Sequence, residues 1–358
     1  MPSLTEAAVL DALRAVQDPD LHKDIVALGF VKSVKIDGSR VALVIELTTP
    51  ACPVKELMRE QARTEVMKIG ASHVDVEMTA QVRAVPRPEG NKSPVEGVKN
   101  IIAVGAGKGG VGKSTVAVNI AMALAKAGSR VGIVDGDMYG PNIPIMLGLS
   151  TSLDSEDGKI KPAERYGIQV VSLGFLTPDD APVIWRGPML HGAVQQFFRE
   201  VRWDNVDYLI IDMPPGTGDV ALSLSQSVPV AGAVVVSTPQ KVALADTKRA
   251  IAMYRKLNIP VIGFIENMSH FICPGCGTES DLFGKGGGEE LAAQMKVPFL
   301  GSVPLYEPVR RGGDAGTPIV MSEPDSPAAR ALVAAAERVA AQVSIASYSR
   351  KQIPLTAV

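Results

Sequence analysis

Apolar and polar residues alternate with two different periods over the first 85 positions of the chain. The segment TEAAVLDALRAV repeats its apolar residues at helical spacing behind Thr5, an N-cap residue, and a second helical pattern runs from about Val54 to Ile69. The stretches VKSVKIDGSRVALVIEL and HVDVEMTAQV alternate with a period of two, which is typical of strands, and the first turns at Asp37-Gly38. The pattern predicts a small α+β domain over residues 1–85.

The pattern of apolar residues changes beyond residue 98, where short and continuous apolar runs alternate with helical segments. These runs are NIIAVGA, RVGIVDGD, DYLIIDMP, AGAVVVST and IPVIGFIEN. Strands that are apolar on both faces are typical of a mostly parallel sheet with helices on both faces, so the pattern predicts an α/β domain over residues 99–345. The stretch PRPEGNKSPVEG, rich in proline, glycine and charge, predicts a linker over residues 86–98. Residues 346–358 are expected to form a C-terminal tail.

The composition shows a nearly balanced charge and enough hydrophobic residues to form a large core. Of the 358 residues, 46% are hydrophobic and 21% are charged, and the formal charge is only -2. Such a balance gives no broad cationic surface, so we expect no binding to nucleic acid. The apolar runs are shorter than the roughly 20 residues of a membrane span, and the chain starts without a signal-peptide pattern. With only three cysteines, the sequence therefore predicts a cytoplasmic protein that does not bind membranes.

The stretch GKGGVGKST satisfies the phosphate-binding pattern G-x-x-x-x-G-K-[ST]. It follows an apolar strand and opens the helical segment TVAVNIAMALAKAG. Glycines let successive backbone N–H groups point at phosphate oxygens, the lysine neutralises the β- and γ-phosphates, and the serine hydroxyl ligates Mg²⁺. We therefore expect an ATP and Mg²⁺ site. Its loop residues are Gly107, Lys108, Gly109, Gly110, Val111, Gly112, Lys113, Ser114 and Thr115.

A dinucleotide site is the rival interpretation of the same loop. GKGGVG also reads G-x-G-x-x-G, and Asp135 ends the next strand, where a dinucleotide fold keeps its ribose-binding acid. Hydride chemistry does not require the lysine, serine and threonine that follow these glycines. The run YLIIDMPPGTGD also ends a strand in Asp212, an acid placed to hold magnesium-bound water. Both features favour the nucleoside triphosphate. A second glycine run, FGKGGGEELA, lacks the Lys-Ser pair and predicts a loop that enters a helix.

Four motifs together are specific to a family. KGGVGKST, VDGDMYGPN, IDMPPGTGD and CPGCG resemble the Mrp/ApbC family of iron-sulfur cluster carrier ATPases, a branch of the MinD-like group with a deviant Walker A motif. The resemblance spans about residues 99–345, and the preceding domain, with LTTPACP, resembles the small iron-sulfur assembly domain often fused in front. It implies a P-loop NTPase fold and a homodimer.

The resemblance also implies roles for individual residues. Lys108 matches a lysine that reaches into the partner subunit's nucleotide site, and Asp137 matches the residue that orients the attacking water. Asp135 and Asp212 match acids that support magnesium directly or through water. Asn267, at the end of a late strand, is similar to the asparagine that recognises the adenine.

Cys273 and Cys276 form a lone Cys-x-x-Cys motif, which by itself is redox-active, half a zinc site or half a cluster site. Two such loops from two subunits would supply the four thiolates of a 4Fe-4S cluster or a tetrahedral zinc. The resemblance favours a labile cluster between subunits, received from scaffold proteins and passed to apo-iron-sulfur proteins. Cys52 precedes a helix and is a secondary thiol candidate, unless it is simply a buried apolar side chain.

Two other functions stay open at this point. One is a positioning ATPase of the MinD or ParA kind, whose membrane-binding members end in a basic amphipathic helix. This chain instead ends in the alanine-rich stretch SPAARALVAAAERVAAQVSIASYSRKQIPLTAV, and that function leaves the cysteines unexplained. The other is a zinc-stapled dimeric ATPase, because thiolates bind zinc as well as iron-sulfur clusters.

Overall fold

The chain forms two compact units, residues 1–83 and 84–358. The computed structural model describes residues 4–86, 93–137, 140–150, 153–175, 192, 195–216 and 219–349. Residues 87–92 of the predicted linker and 350–358 of the predicted tail lie outside this set. No helix within the described ranges is long and apolar enough to cross a membrane.

The first unit consists of two helices, a three-stranded sheet and a two-stranded ribbon. Its elements are α1 (Glu6–Leu13), β1 (Gln17–Asp18), β2 (Lys23–Asp24), β3 (Val31–Asp37), β4 (Arg40–Leu47), α2 (Lys55–Lys68) and β5 (His73–Ala80). Thr5 caps α1 as predicted, because its Oγ1 accepts a hydrogen bond of 3.2 Å from the Ala8 N–H.

Strand pairing in this unit follows the predicted hairpin. Strand β3 pairs with β4 in antiparallel fashion down to Asp37 and Arg40, and Gly38 supplies the positive φ of 59° that the turn needs. Strand β5 then pairs with β4 in parallel, as the connection through a helix allows. Alternate residues of β4 are buried, and α2 buries Met58, Ala62 and Val66, which lie one helical turn apart.

The second unit holds the remaining strands and helices. Its strands are β6 (Val98–Ala106), β7 (Val131–Asp135), β8 (Ser155–Glu156), β9 (Lys159–Ile160), β10 (Ala163–Arg165), β11 (Ile168–Ser172), β12 (Val206–Asp212), β13 (Val230–Ser237), β14 (Val261–Ile272), β15 (Glu279–Ser280) and β16 (Phe299–Leu305). Its helices are α3 (Lys113–Lys126), α4 (Ile143–Leu147), α5 (Asp219–Ser227), α6 (Lys241–Lys256), α7 (Gly287–Met295), α8 (Glu307–Asp314), α9 (Ile319–Ser322) and α10 (Pro327–Ser349).

Nine of these strands form one mostly parallel sheet. The order is β10-β11-β7-β12-β6-β13-β14-β15, and β16, outside this order, also pairs with β14. Of these pairs, only β10–β11 and β14–β15 are antiparallel. Every residue of β7 and β12 is buried, so both faces of the sheet are covered, as continuous apolar runs predict. The predicted fold class, an α/β P-loop NTPase preceded by a small α+β domain, is confirmed.

The carboxyl ends of the central strands meet at one edge of the sheet. Strand β6 leads into the glycine loop, and the register places Asp212 at the end of β12 beside Asp135 at the end of β7. Open parallel sheets bind ligands at this edge. The glycine run after residue 282 enters α7 as predicted, and α10 extends to Ser349, past the predicted start of the tail.

Candidate functional site

The glycine loop between β6 and α3 has the backbone of an anion-binding loop. Gly110 and Gly112 adopt positive φ angles of 79° and 81°, which residues with a Cβ rarely adopt. Gly112 is also the N-cap of α3, and as a glycine it has no side chain to cap the first N–H groups of this helix. A Cβ on Gly107 would lie 2.4 Å from the backbone carbon of Asp246, so glycine is needed there for close packing on α6.

Lys113, the first residue of α3, is buried and holds the centre of the site. Its Nζ donates a 2.6 Å hydrogen bond to Asp212 Oδ1, lies 3.2 Å from Ser114 Oγ and lies 3.7 Å from Asp137 Oδ2. Tertiary packing thus brings together four residues from three separate sequence motifs. Removing either partner of this pair would leave an uncompensated buried charge, so each group depends on the other.

Asp212 has one carboxylate oxygen left over. Its Oδ2 is buried and has no hydrogen-bond partner among the described residues. Burial raises the pKa of this carboxyl group, while the Lys113 ammonium opposes that rise. A buried oxygen without a donor is unfavourable, and a hydrated divalent cation would supply one. With the Ser114 hydroxyl nearby, the donor set of hard oxygens fits Mg²⁺.

Asp135 is occupied differently, because both of its oxygens already accept hydrogen bonds from the chain. Oδ1 accepts from the Asp137 N–H at 3.2 Å, and Oδ2 accepts from the Ile143 N–H at 3.1 Å and the Ser172 hydroxyl at 3.0 Å. Burial, and then the neighbouring charge of Asp212, raise the pKa of Asp135 to about 7. Asp135 therefore anchors the backbone that carries Asp137. Ser172 was missed by the sequence analysis, although it ends β11 at the same sheet edge.

Asn267 reaches the glycine loop from β14. Its Nδ2 donates a 2.9 Å hydrogen bond to the carbonyl oxygen of Val111. Beside it lies a cavity of about 270 Å³ with mostly apolar walls. Its lining includes Thr115, Asn267, Met268, Tyr306 and Val309. Tyr306 and Val309 were missed because they follow β16, a strand that pairs in parallel with β14 but was not among the apolar runs read from the sequence.

Lys108 stands apart from these contacts. Its side chain is half-buried at the start of the loop and forms no ion pair or hydrogen bond with any other described residue. The structure thus leaves its ammonium available, in contrast with that of Lys113.

The two cysteines of CPGCG lie on a β-hairpin, where the sequence suggested only a loop. Strands β14 and β15 pair in antiparallel fashion up to Ile272 and Glu279, so the connection starts at Cys273. The Cys273 N–H donates to the Thr278 carbonyl at 3.0 Å, and the Gly277 N–H donates to the Cys273 carbonyl at 2.8 Å. These two backbone bonds hold both cysteines on one short turn.

The thiols of this hairpin are accessible and unoxidised. Cys273 is half-buried, Cys276 is exposed, and neither forms a disulfide. Cys276 Sγ lies 3.2 Å from Thr278 Oγ1, and hydrogen bonds with Thr278, then Cys273, hold the pKa of the Cys276 thiol below its ordinary range. The thiolate is the form that binds metals. Within the described part of the chain, no three His, Cys, Asp or Glu side chains gather to hold a metal ion.

Cys52 lies in the first unit, two residues before Val54, the N-cap of α2. Its side chain is half-buried and forms no disulfide. Its carbonyl accepts a 3.3 Å hydrogen bond from the Lys55 N–H, and Thr49 Oγ1 accepts one of 3.2 Å from the Ala51 N–H. The thiol therefore sits on an ordered turn at a helix entrance, as predicted from TTPACP.

Comparisons with known proteins agree with this geometry. Residues 97–340 match the model of the NUBPL iron-transfer P-loop NTPase family, and residues 6–78 match that of an iron-sulfur cluster assembly protein. The chain is 49% identical to an iron-sulfur cluster carrier protein of Synechocystis sp., over 96% of this chain and 99% of that protein. It is 42% identical to one of Escherichia coli strain K12, over 96% of this chain and 93% of that protein.

Solved structures give the same result. A nucleotide-binding protein from Archaeoglobus fulgidus in complex with ADP is 39% identical, with a TM-score of 0.56 over 62% of this chain and 88% of that chain. The cell division ATPase MinD of Pyrococcus furiosus is 26% identical, with a TM-score of 0.51 over 67% of this chain and 98% of that chain. Its loop geometry and these matches show that the chain belongs to the NUBPL iron-transfer P-loop NTPase family and carries an N-terminal unit of the iron-sulfur cluster assembly type.

Proposed function

We propose that this protein binds and hydrolyses ATP and carries a labile 4Fe-4S cluster, its cargo, which it passes to apo-iron-sulfur proteins. The observation that carries the proposal is the presence, in one compact unit, of a complete P-loop and an exposed hairpin with only two thiols. The names of the relatives, iron-sulfur cluster carrier proteins, support the same cargo.

In the nucleotide site, the glycine loop and Lys113 would bind the phosphates of ATP. Mg²⁺, when bound, neutralises developing charge on the phosphate oxygens. Ser114 would ligate it, and the spare oxygen of Asp212 would accept a hydrogen bond from its water. Asp137 would orient the attacking water, and Asp135 would hold Asp137 through its backbone bonds. The cavity beside Asn267 would take the adenine.

Lys108 would complete the site of a second copy. Its ammonium has no ionic partner among the residues the structure describes, whereas Lys113 has two carboxylates within 3.7 Å. A cation that reaches across a homodimer would act on the transition state in the manner of an arginine finger.

The cysteine hairpins of two copies would together supply the four thiolates of one cluster. A single chain presents two thiols on its hairpin, and the third, Cys52, lies in the other compact unit. We assign Cys52 a secondary role as a transient thiol during loading from a scaffold protein or during transfer. Three cysteines without a disulfide suit a reducing cytoplasm.

Anaerobic reconstitution with iron and sulfide tests the proposal. We expect about four irons per dimer in the wild type, none in the Cys273→Ala/Cys276→Ala variant and an unchanged content in Cys52→Ala. Iron, zinc, native mass and activation of an apo-iron-sulfur enzyme are measured for all three. Tightly bound zinc after anaerobic isolation would contradict the carrier function and support a zinc-stapled dimer. Full cluster binding without Cys273 and Cys276 would contradict the proposed cluster site on the hairpin.

A further inference from the structure

A groove lies between α6, which precedes the cysteine hairpin in the chain, and α7, which follows it. Its cavity measures about 700 Å³, within the range of about 300–1,000 Å³ that ligand pockets occupy. Gly287 lets the helices approach here, because a Cβ at this position would lie 2.9 Å from Leu244 Cδ1 and 3.0 Å from the Pro239 carbonyl oxygen. Leu244, Phe283 and Leu291 give the groove an apolar lining.

Three lysines surround this apolar lining. Lys241, Lys248 and Lys285 are exposed, line the groove and form no ion pair or hydrogen bond with another residue of the described ranges. Glu290 is the one acid among the described lining residues. The groove therefore carries a net positive charge on a chain whose overall charge is slightly negative.

The position of two of these lysines is unfavourable for the helices themselves. Lys241 is the first residue of α6, and Lys285 directly precedes Gly286, the N-cap of α7. A helix macrodipole places positive potential at its N-terminus, where a cation is disfavoured. The N-cap residue of neither helix caps it with its own side chain, and at α7 the Gly288 N–H is bonded by the carboxylate of Glu266. Helix stability therefore does not account for these lysines, whereas an anionic partner would.

Exposed apolar side chains adjoin the charged groove. Val242 is 71% exposed and Leu282 is 58% exposed, and they neighbour Lys241 and Phe283 in the chain. Apolar surface rimmed by charge is typical of a protein interaction site. Lys241 and Lys248 are seven residues apart on α6, which corresponds to about 10 Å and to about three residues of an extended segment.

The groove also lies close to the two cysteines that would hold the cluster. Phe283 follows Cys276 by seven residues, so the two lie within about 25 Å of one another at full extension of the chain. Turn hydrogen bonds from the Leu282 N–H to the Ser280 carbonyl and from the Gly284 N–H to the Asp281 carbonyl shorten this path further. A protein held in the groove would therefore contact this chain within about 25 Å of Cys276.

We propose that this groove docks a short acidic and apolar segment of the protein that receives the cluster, an inference that rests on the proposed carrier function. The lysines would pair with its carboxylates, and Leu244, Phe283 and Leu291 would take its apolar side chains. A second copy of this chain is a poorer occupant, because a two-fold contact centred on the groove would oppose lysines to lysines.

Peptide binding to the full-length, cluster-free protein is the first test. The probe is a fluorescein-labelled octapeptide of alternating glutamate and leucine, and its control replaces every glutamate with glutamine. We expect the acidic peptide alone to bind, more weakly as salt increases. The variant Lys241→Glu/Lys248→Glu/Lys285→Glu should weaken binding about tenfold or more. The matched variant Lys126→Glu/Lys161→Glu/Lys256→Glu, with the same charge change outside the groove, should stay within about twofold.

Cluster transfer to a small apo-ferredoxin of net negative charge is the second test. We expect the groove variant to transfer about tenfold or more slowly at unchanged iron content and ATP turnover, and the version with three glutamines to be intermediate. Equal effects of both triple variants, or absence of peptide binding by the wild type, would overturn the proposal. Loss of the dimer in the groove variant would also overturn it, by assigning this face to the second copy. Because peptide binding needs no cluster, failed iron loading would count against the carrier function alone.

Discussion

The nucleotide loop and the cysteine hairpin belong to the same compact unit but are built in opposite ways. The charged groups around the nucleotide loop, Lys113, Asp135 and Asp212, are buried and bonded to one another or to the backbone. The thiols of the hairpin are accessible and rest on a turn with two backbone bonds. Phosphate chemistry gains from charges held in place away from water, whereas a cargo must remain within reach of other proteins. The difference in burial therefore corresponds to a difference in task.

Substitutions at the buried site are expected to have the largest effect. Lys113→Ala removes the phosphate cation and Asp137→Ala removes the group that orients water, so each should lower ATP turnover by about 10²-fold or more. Glu279→Gln, an exposed change on the hairpin, should leave turnover within about twofold. Single-turnover assays measure all three. Turnover near the wild-type rate in both Lys113→Ala and Asp137→Ala would contradict the assigned roles.

Mixed dimers sharpen the comparison by asking where Lys108 acts. Subunits with Lys108→Ala and subunits with Asp137→Ala should each be nearly inactive as homodimers. A heterodimer of the two should recover about half of the wild-type rate, because one of its two sites draws intact groups from both chains. Native mass confirms the pairing before the assay. A heterodimer no faster than its parents would place Lys108 outside the partner's site.

Glycine substitutions compare the packing of the two regions directly. Gly107→Ala forces a Cβ to within 2.4 Å of backbone atoms of α6, which the helix cannot avoid without moving, so we expect a loss of about 1–3 kcal/mol in the free energy of unfolding. In Gly275→Ala the nearest atom is Cys273 Sγ at 4.0 Å, an ordinary contact, and the change should stay within about 0.5 kcal/mol. Urea unfolding measures both. Equal losses would show that the hairpin is as tightly packed as the loop.

The smallest expected effect concerns Glu266, the residue before Asn267 on β14. Its Oε2 accepts a 2.6 Å hydrogen bond from the Gly288 N–H at the start of α7, and burial raises its pKa above the ordinary 4.5. The folded chain therefore keeps this proton to a higher pH than the unfolded chain. Folding stability is lost as pH rises from 4.5 through the raised pKa.

Glu266→Gln removes this titration while keeping an acceptor for the Gly288 N–H. Relative to the wild type, the variant should gain free energy of unfolding between about pH 4 and pH 8. Urea unfolding at both pH values measures the gain, and Glu164→Gln, an exposed change, serves as the control. A gain in the control equal to that in Glu266→Gln would assign the effect to net charge instead of burial.

The sequence by itself determined the two-part organisation, the fold class and the glycine loop. Apolar runs of strand length and helical repeats are local patterns, and they predict a parallel sheet whose strand ends gather at one edge. Asp135 and Asp212 were nominated because each ends an apolar run, and Asp137 through the resemblance of VDGDMYGPN to a family motif. Thr5 as a cap and the turn at Gly38 depend on neighbouring residues only, and both are present.

Only the tertiary structure decided how these residues share their charges. The Lys113–Asp212 bond joins positions 99 apart in the chain, and Ser172 reaches Asp135 across 37. Packing leaves Asp212 Oδ2 without a hydrogen-bond donor among the residues described, whereas both oxygens of Asp135 accept hydrogen bonds. The two acids look alike in sequence. Packing also sets Asn267 against Val111 and brings Lys241 and Lys285 to one groove. Such contacts depend on the register of distant strands and the approach of helices, which no local periodicity records.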